Sequence, residues 1–77
     1  MIELYISETC PYCRKVMDYF DENDIEYIKH DVSEPRNIKL LLEKGGKSQV
    51  PFMVDAEHDM SLYESDDIID YVKRLNR

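Results

Sequence analysis

The chain opens on an alternation. In MIELYI, Ile2, Leu4 and Ile6 fall on one side, which predicts a strand ending near Ile6. SETCPYC then turns the chain. From Pro11 the period lengthens, because Cys13, Val16, Met17 and Phe20 recur at helical spacing, and polar DEND at 21–24 ends that helix. IEYIKHDV at 25–32 predicts a second strand with Ile25, Tyr27 and Ile28 as its apolar residues. SEP at 33–35 reads as a helix start, with Ser33 as cap and proline in the first turn. Ile38, Leu41 and Leu42 are the buried stripe expected of that second helix, and Gly45–Gly46 stop it.

VPFMVD at 50–55 predicts a third strand, opened by a proline where a missing N–H does least harm. AEHD is a polar turn, and MSLY at 60–63 a short fourth strand. ESDDIIDYVKRL predicts the last helix, with Ser65 as N-cap. Asp66 and Asp67 sit at its positive end and Lys73 and Arg74 at its negative end, while Ile68, Val72 and Leu75 face the core. The order is βαβαββα. A helical crossover makes the first two strands parallel, and a short turn makes the last two antiparallel. The compact solution is an α/β arrangement, a four-stranded mixed sheet flanked by three helices on both faces.

With 77 residues, one domain spanning 1–77 is expected, with a single modest core. The net charge of −7 argues against nucleic acid, which needs a basic face, and suits a solubilising surface. No apolar run reaches the length of a membrane span, so no membrane partner is expected. Apolar residues and cysteines begin almost at Met1, which leaves no room for a transit segment. A cytoplasmic monomer is the resulting expectation.

Cys10 and Cys13 are the chain's two cysteines. A bridge between them closes too small a loop to stabilise the fold by restricting the unfolded chain. A zinc site needs about four ligands, and His30 and His58 follow no metal-site spacing, so no metal is expected and both histidines read as surface residues. A reactive thiol pair remains. Cys10 lies where strand passes into helix, near unpaired backbone N–H groups and the positive end of the dipole, which favour its thiolate. Arg14 and Lys15 add to that and Glu8 opposes it. Cys13, one turn further in, has the position of a resolving thiol.

CPYC at 10–13 after a first strand, VP at 50–51 opening the third, and ESDD at 64–67 opening the last helix together resemble the glutaredoxins, over nearly the whole chain. The resemblance implies a thioredoxin-like fold and glutathione as co-substrate, with disulfide-containing or glutathionylated proteins as partners. It implies a dithiol thiol–disulfide oxidoreductase in which Cys10 attacks and Cys13 resolves. It also implies a glutathione groove: Tyr12 as aromatic wall, Pro51 as a cis-proline that aims the Val50 backbone at the ligand, and Ser65 with Asp66 holding the γ-glutamyl end.

Two positions depart from the glutaredoxin pattern. Ser7 stands where many members carry a lysine that meets a glutathione carboxylate, and Lys47 or Gln49 are the candidates in its place. Tyr63–Glu64 stand where a glycine pair is usual. LYESDDI is similar to the N-terminal domain of glutathione transferases, whose Glu/Gln–Ser pair binds the same γ-glutamyl end. A full transferase is not expected, since its helical domain is absent. Two other functions stay open: a redox protein of this fold fed by a thioredoxin-reductase-type donor, and a non-enzymatic iron–sulfur carrier, against which Pro11 speaks.

Overall fold

A computed structural model describes residues 1–75. Its elements run β1 (Ile2–Ile6), α1 (Pro11–Glu22), β2 (Tyr27–Asp31), α2 (Pro35–Gly45), β3 (Phe52–Asp55), a 3-10 turn (Ala56–His58), β4 (Met60–Leu62) and α3 (Ser65–Leu75). The strands form one sheet in the order β2-β1-β3-β4. β1 pairs in parallel with β2 and antiparallel with β3, and β3 pairs antiparallel with β4. This is the mixed sheet with three helices that the sequence predicts, a thioredoxin-like fold.

The period-two alternation of β1 divides the core. Leu4 and Ile6 face α1 and α3, where Cys13, Val16, Met17, Phe20, Met53, Ile68, Ile69 and Val72 close around them. Tyr5 points to the opposite face and packs with Phe52 and Leu41 of α2. The stripe predicted for α1 is buried as a whole.

The second helix differs from expectation. Ile38 and Leu42 are exposed, and the inward residues are Asn37 and Leu41. Four residues on, Gly45 continues the same face. A Cβ there would strike the Tyr63 hydroxyl and come within 3.0 Å of the Phe52 ring, so only glycine lets these aromatics approach. Asn37 tolerates burial because its amide donates to the Asp31 carbonyl (2.8 Å), tying α2 to the end of β2. Ser33 is not the cap of α2. Glu34 holds that position without a side-chain bond, and the Ser33 N–H donates instead to the Asp31 carboxylate (2.9 Å). Gly46, left-handed at φ 86°, closes the helix through its N–H to the Leu42 carbonyl.

Smaller differences follow from the same physics. β2 begins at Tyr27 and leaves Ile28 exposed, β3 begins at Phe52, beyond Val50 and Pro51, and β4 ends at Leu62. In α3 the buried residues are Ser65, Ile68, Ile69 and Val72, whereas Leu75 is exposed. Ser65 is the first helical residue and not the N-cap, since the Glu64 carbonyl already accepts the Ile68 N–H (3.0 Å). His58 is exposed. His30 is half-buried, stacked on Tyr5 (centroids 4.6 Å) with its Nε2 2.8 Å from Glu3.

Candidate active site

The edge of β1 delivers the thiols. After Ile6 the chain turns, with the Cys10 N–H donating to the Ser7 carbonyl (3.1 Å), and Pro11 opens α1. Cys10 occupies the N-cap in extended conformation (φ −90°, ψ 120°) with no close capping bond from its side chain. Partial burial pushes its thiol up. The backbone N–H and thiol of Cys13, with the Tyr12 N–H, outweigh that and hold Cys10 below an ordinary thiol. Cys13 goes the other way. It is fully buried, and burial raises its thiol to about 12, against a Ser7 N–H that donates to its sulfur at 3.5 Å. Both cysteines are free thiols.

The basic neighbours act elsewhere than expected. The Lys15 ammonium lies 2.6 Å from the Asp66 carboxylate and ties α1 to the start of α3, so it serves that acid and not the Cys10 thiolate. Arg14 acts on Tyr27, and Glu8 faces Lys29 at 3.5 Å.

Beside the thiols runs a groove of about 370 Å³. Tyr12, Gln49, Val50, Pro51, Ser65 and Asp66 line it, so the six residues singled out from the sequence meet on one surface. Glu64, which that set left out, lines it too. Cys10 is not among the lining residues; it packs at the edge, against the same core cluster as Val50. Tyr12 is 66 % exposed and stands over the groove as a free wall. The Val50–Pro51 peptide is cis, the geometry the resemblance implies.

Glu64 has a left-handed backbone (φ 66°), sparsely populated for a residue with a side chain, at the entry to α3. Its carboxylate accepts from the Gln49 amide (3.1 Å). Its neighbour Tyr63 clasps Lys47 twice, accepting the Lys47 N–H (3.1 Å) and donating to the Lys47 carbonyl (3.0 Å). The Lys47 ammonium folds over the Tyr63 ring, 4.7 Å from its centroid. Lys47 is therefore held outside the groove. The Glu–Ser pair was the sequence signal for Glu64; nothing in a one-dimensional pattern marked the Lys15–Asp66 pair, 51 residues apart.

The mixed sheet with three helices, carrying two thiols where β1 passes into α1, is a thioredoxin-like fold. The sequence matches the family described as glutathione S-transferase, N-terminal domain, over residues 4–77, and the chain belongs to that family. Compared with curated proteins by sequence, it matches none. Among solved structures it is similar to glutaredoxin 2 from Salmonella typhimurium in complex with glutathione, at 26 % identity and TM-score 0.83, covering 99 % of this chain and 34 % of that one. It is similar to human glutathione-S-transferase T1-1 at 25 % identity and TM-score 0.81, covering 96 % of this chain and 31 % of that one. A mutant of a thioredoxin-like protein, BC3987, shares the fold over the whole of both chains at 22 % identity and TM-score 0.82. The chain thus spans about a third of the glutaredoxin 2 and transferase chains. Family and fold tie it to glutathione-related redox or transferase chemistry.

Proposed function

We propose that the protein is a glutathione-dependent thiol–disulfide oxidoreductase that reduces glutathionylated proteins and protein disulfides. The observation that carries the reading is the split between the two thiols: Cys10 lowered at a helix start, Cys13 buried and raised to about 12. A lowered, accessible thiol attacks, and a buried one stays protonated until a disulfide forms beside it. Facing a mixed disulfide between glutathione and a protein, the Cys10 thiolate bonds to the glutathione sulfur. The protein sulfur leaves with the electron pair and takes a proton. A second glutathione, as thiolate, attacks the glutathionyl sulfur on Cys10, giving glutathione disulfide and restoring the Cys10 thiolate. For a protein disulfide, Cys13 loses its proton and displaces the reduced partner from Cys10, and two glutathiones then reduce the Cys10–Cys13 bridge.

The groove supports this role. The glutathione backbone can pair with that of Val50 as an added strand edge. Its γ-glutamyl carboxylate suits the N–H groups at the start of α3, and its ammonium suits Asp66. The glutaredoxin 2 relative holding glutathione supports the same ligand. Glutathione serves as co-substrate, with no metal.

A second reading, glutathione transfer to an electrophile, is favoured by the family and by the Glu64–Ser65 pair. Thiol variants separate the two. Cys10→Ser is expected to abolish reduction of a glutathionylated peptide, and Cys13→Ser to preserve it while losing reduction of protein disulfides. Conjugation of glutathione to an aryl halide, retained in Cys10→Ser with no disulfide reduction in the parent protein, would replace the first reading by the second.

A further inference from the structure

We propose that two copies of this chain pair through the outer edge of β4, antiparallel about a two-fold axis, so that a single sheet runs through both. The strand order leaves β2 and β4 as the two edges. β2 carries Lys29, His30 and Asp31, and charge is a common protection of an exposed edge. β4 lacks that protection: Met60, Ser61 and Leu62 include neither a charge nor a proline. Beyond its ladder with β3, the β4 backbone makes no hydrogen bond to any described residue. Each face beside it is recessed. On the α3 side a cleft of about 240 Å³ separates Met60 and Leu62 from Asp67, Asp70, Tyr71 and Arg74. A second, of about 280 Å³, opens on the α2 side beside Val54 and Ser61. An added strand points its side chains into the two clefts in turn.

Charge along α3 selects a second copy as the occupant. Asp67 and Arg74 stand about two turns apart on the flank that borders β4. Neither they nor Asp70 form an ion pair among the described residues. A two-fold axis at Ser61 sets Met60 beside Leu62 of the second copy and runs the two α3 helices antiparallel on one face of the joined sheet. Asp67 of each copy then approaches Arg74 of the other, so the surface is complementary to itself. Asp70, midway between them, meets its own copy across the axis. Like charges there oppose pairing, and the added ladder is short. The result is a weak dimer, in place of the monomer expected from the sequence.

The test is sedimentation velocity on the full chain from about 5 to 500 μM, with circular dichroism confirming that each variant is folded. We expect a reversible monomer–dimer equilibrium with Kd of about 100 μM or tighter. Met60→Lys, at an edge position already 37 % exposed, is expected to abolish pairing. Asp70→Asn is expected to tighten the dimer about fivefold by removing the repulsion at the axis. Asp67→Arg and Arg74→Asp are each expected to weaken it about tenfold, and the two together to return it to within about threefold of the parent, because the exchanged charges still face each other. A parent chain that stays monomeric across the whole range would overturn the proposal. So would a dimer indifferent to Asp70→Asn and to both charge reversals, since its interface would lie on another face.

Discussion

Replacing Tyr71 by phenylalanine removes a single oxygen from the far end of α3. That oxygen donates to the Asp55 carboxylate at 2.8 Å. Asp55 ends β3, is 2 % exposed, and has one further side-chain neighbour at bonding distance, His58 Nδ1 at 2.8 Å on the same oxygen. Burial pushes the Asp55 carboxyl up, but the bonds from Tyr71 and His58 outweigh it and hold it below its ordinary value. A hydrogen bond to a charged group contributes about 1.5–3 kcal/mol. With His58 still present, we expect Tyr71→Phe to lose about 2 kcal/mol, near the middle of that range. For a domain of this size that lowers Tm by roughly 8–16 °C.

The pH dependence gives a sharper readout. Burial, then the bond and charge of Asp55, raise the Tyr71 phenol to about 12, above its unfolded value near 10. The unfolded chain releases that proton first. The stabilisation is therefore fully present below about pH 10 and is lost as pH rises through about 12. Tyr5 and Tyr27, also raised by burial, make both proteins weaken in alkali, but the variant should weaken less. Urea unfolding followed by circular dichroism from pH 7 to 12 measures the gap between them. A gap under about 0.5 kcal/mol at pH 7, or one that stays constant into alkali, would refute the argument.

Gly45→Ala should destabilise the protein by about 1–3 kcal/mol, the range for overpacking a filled site, and loosen the 46–49 segment, measurable as faster amide exchange at Lys47. Alkylation of Cys10 by iodoacetamide should persist to lower pH than that of a free cysteine, with Cys13 unreactive until denaturant exposes it; equal rates for the two would contradict their assignment. Asp66→Asn should raise the glutathione requirement about tenfold, and that difference should shrink as salt is added, because the acid is exposed.

The parts of the fold legible in the sequence are those in which burial and apolarity coincide. The alternation of β1 and the stripe of α1 name Leu4, Ile6, Cys13, Val16, Met17 and Phe20 on one side of the sheet, but the alternation leaves out Tyr5, which is buried on the other. α2 breaks that link. Its buried line runs Asn37, Leu41, Gly45, a polar residue and a glycine around one leucine, so a search for apolar periodicity chooses Ile38 and Leu42, which face solvent. Asn37 is inside because the Asp31 carbonyl awaits its amide, and Gly45 because the Tyr63 and Phe52 rings crowd it; neither reason shows in an apolar period. Ser33 is not the cap because α2 begins at Pro35, which puts Glu34 at the N-cap position and Ser33 one residue outside it. In the candidate site, residue types and spacing named the thiols, and the resemblance to the glutaredoxins implied the six lining residues. The charges are less legible: Lys15 neighbours Cys10 in the chain, whereas its partner in space is Asp66.

The clasp of Tyr63 on Lys47, beside the bond from Gln49 to Glu64, joins two stretches that have little regular structure of their own. Two adjacent residues of one segment each grip a residue of the other, like paired rungs of a ladder. Tyr63 does not line the groove, yet its two bonds tie the Lys47–Gln49 segment to the entry of α3, which does. Shortening or reshaping that one side chain offers a route to new ligand preferences while every residue that lines the groove stays the same.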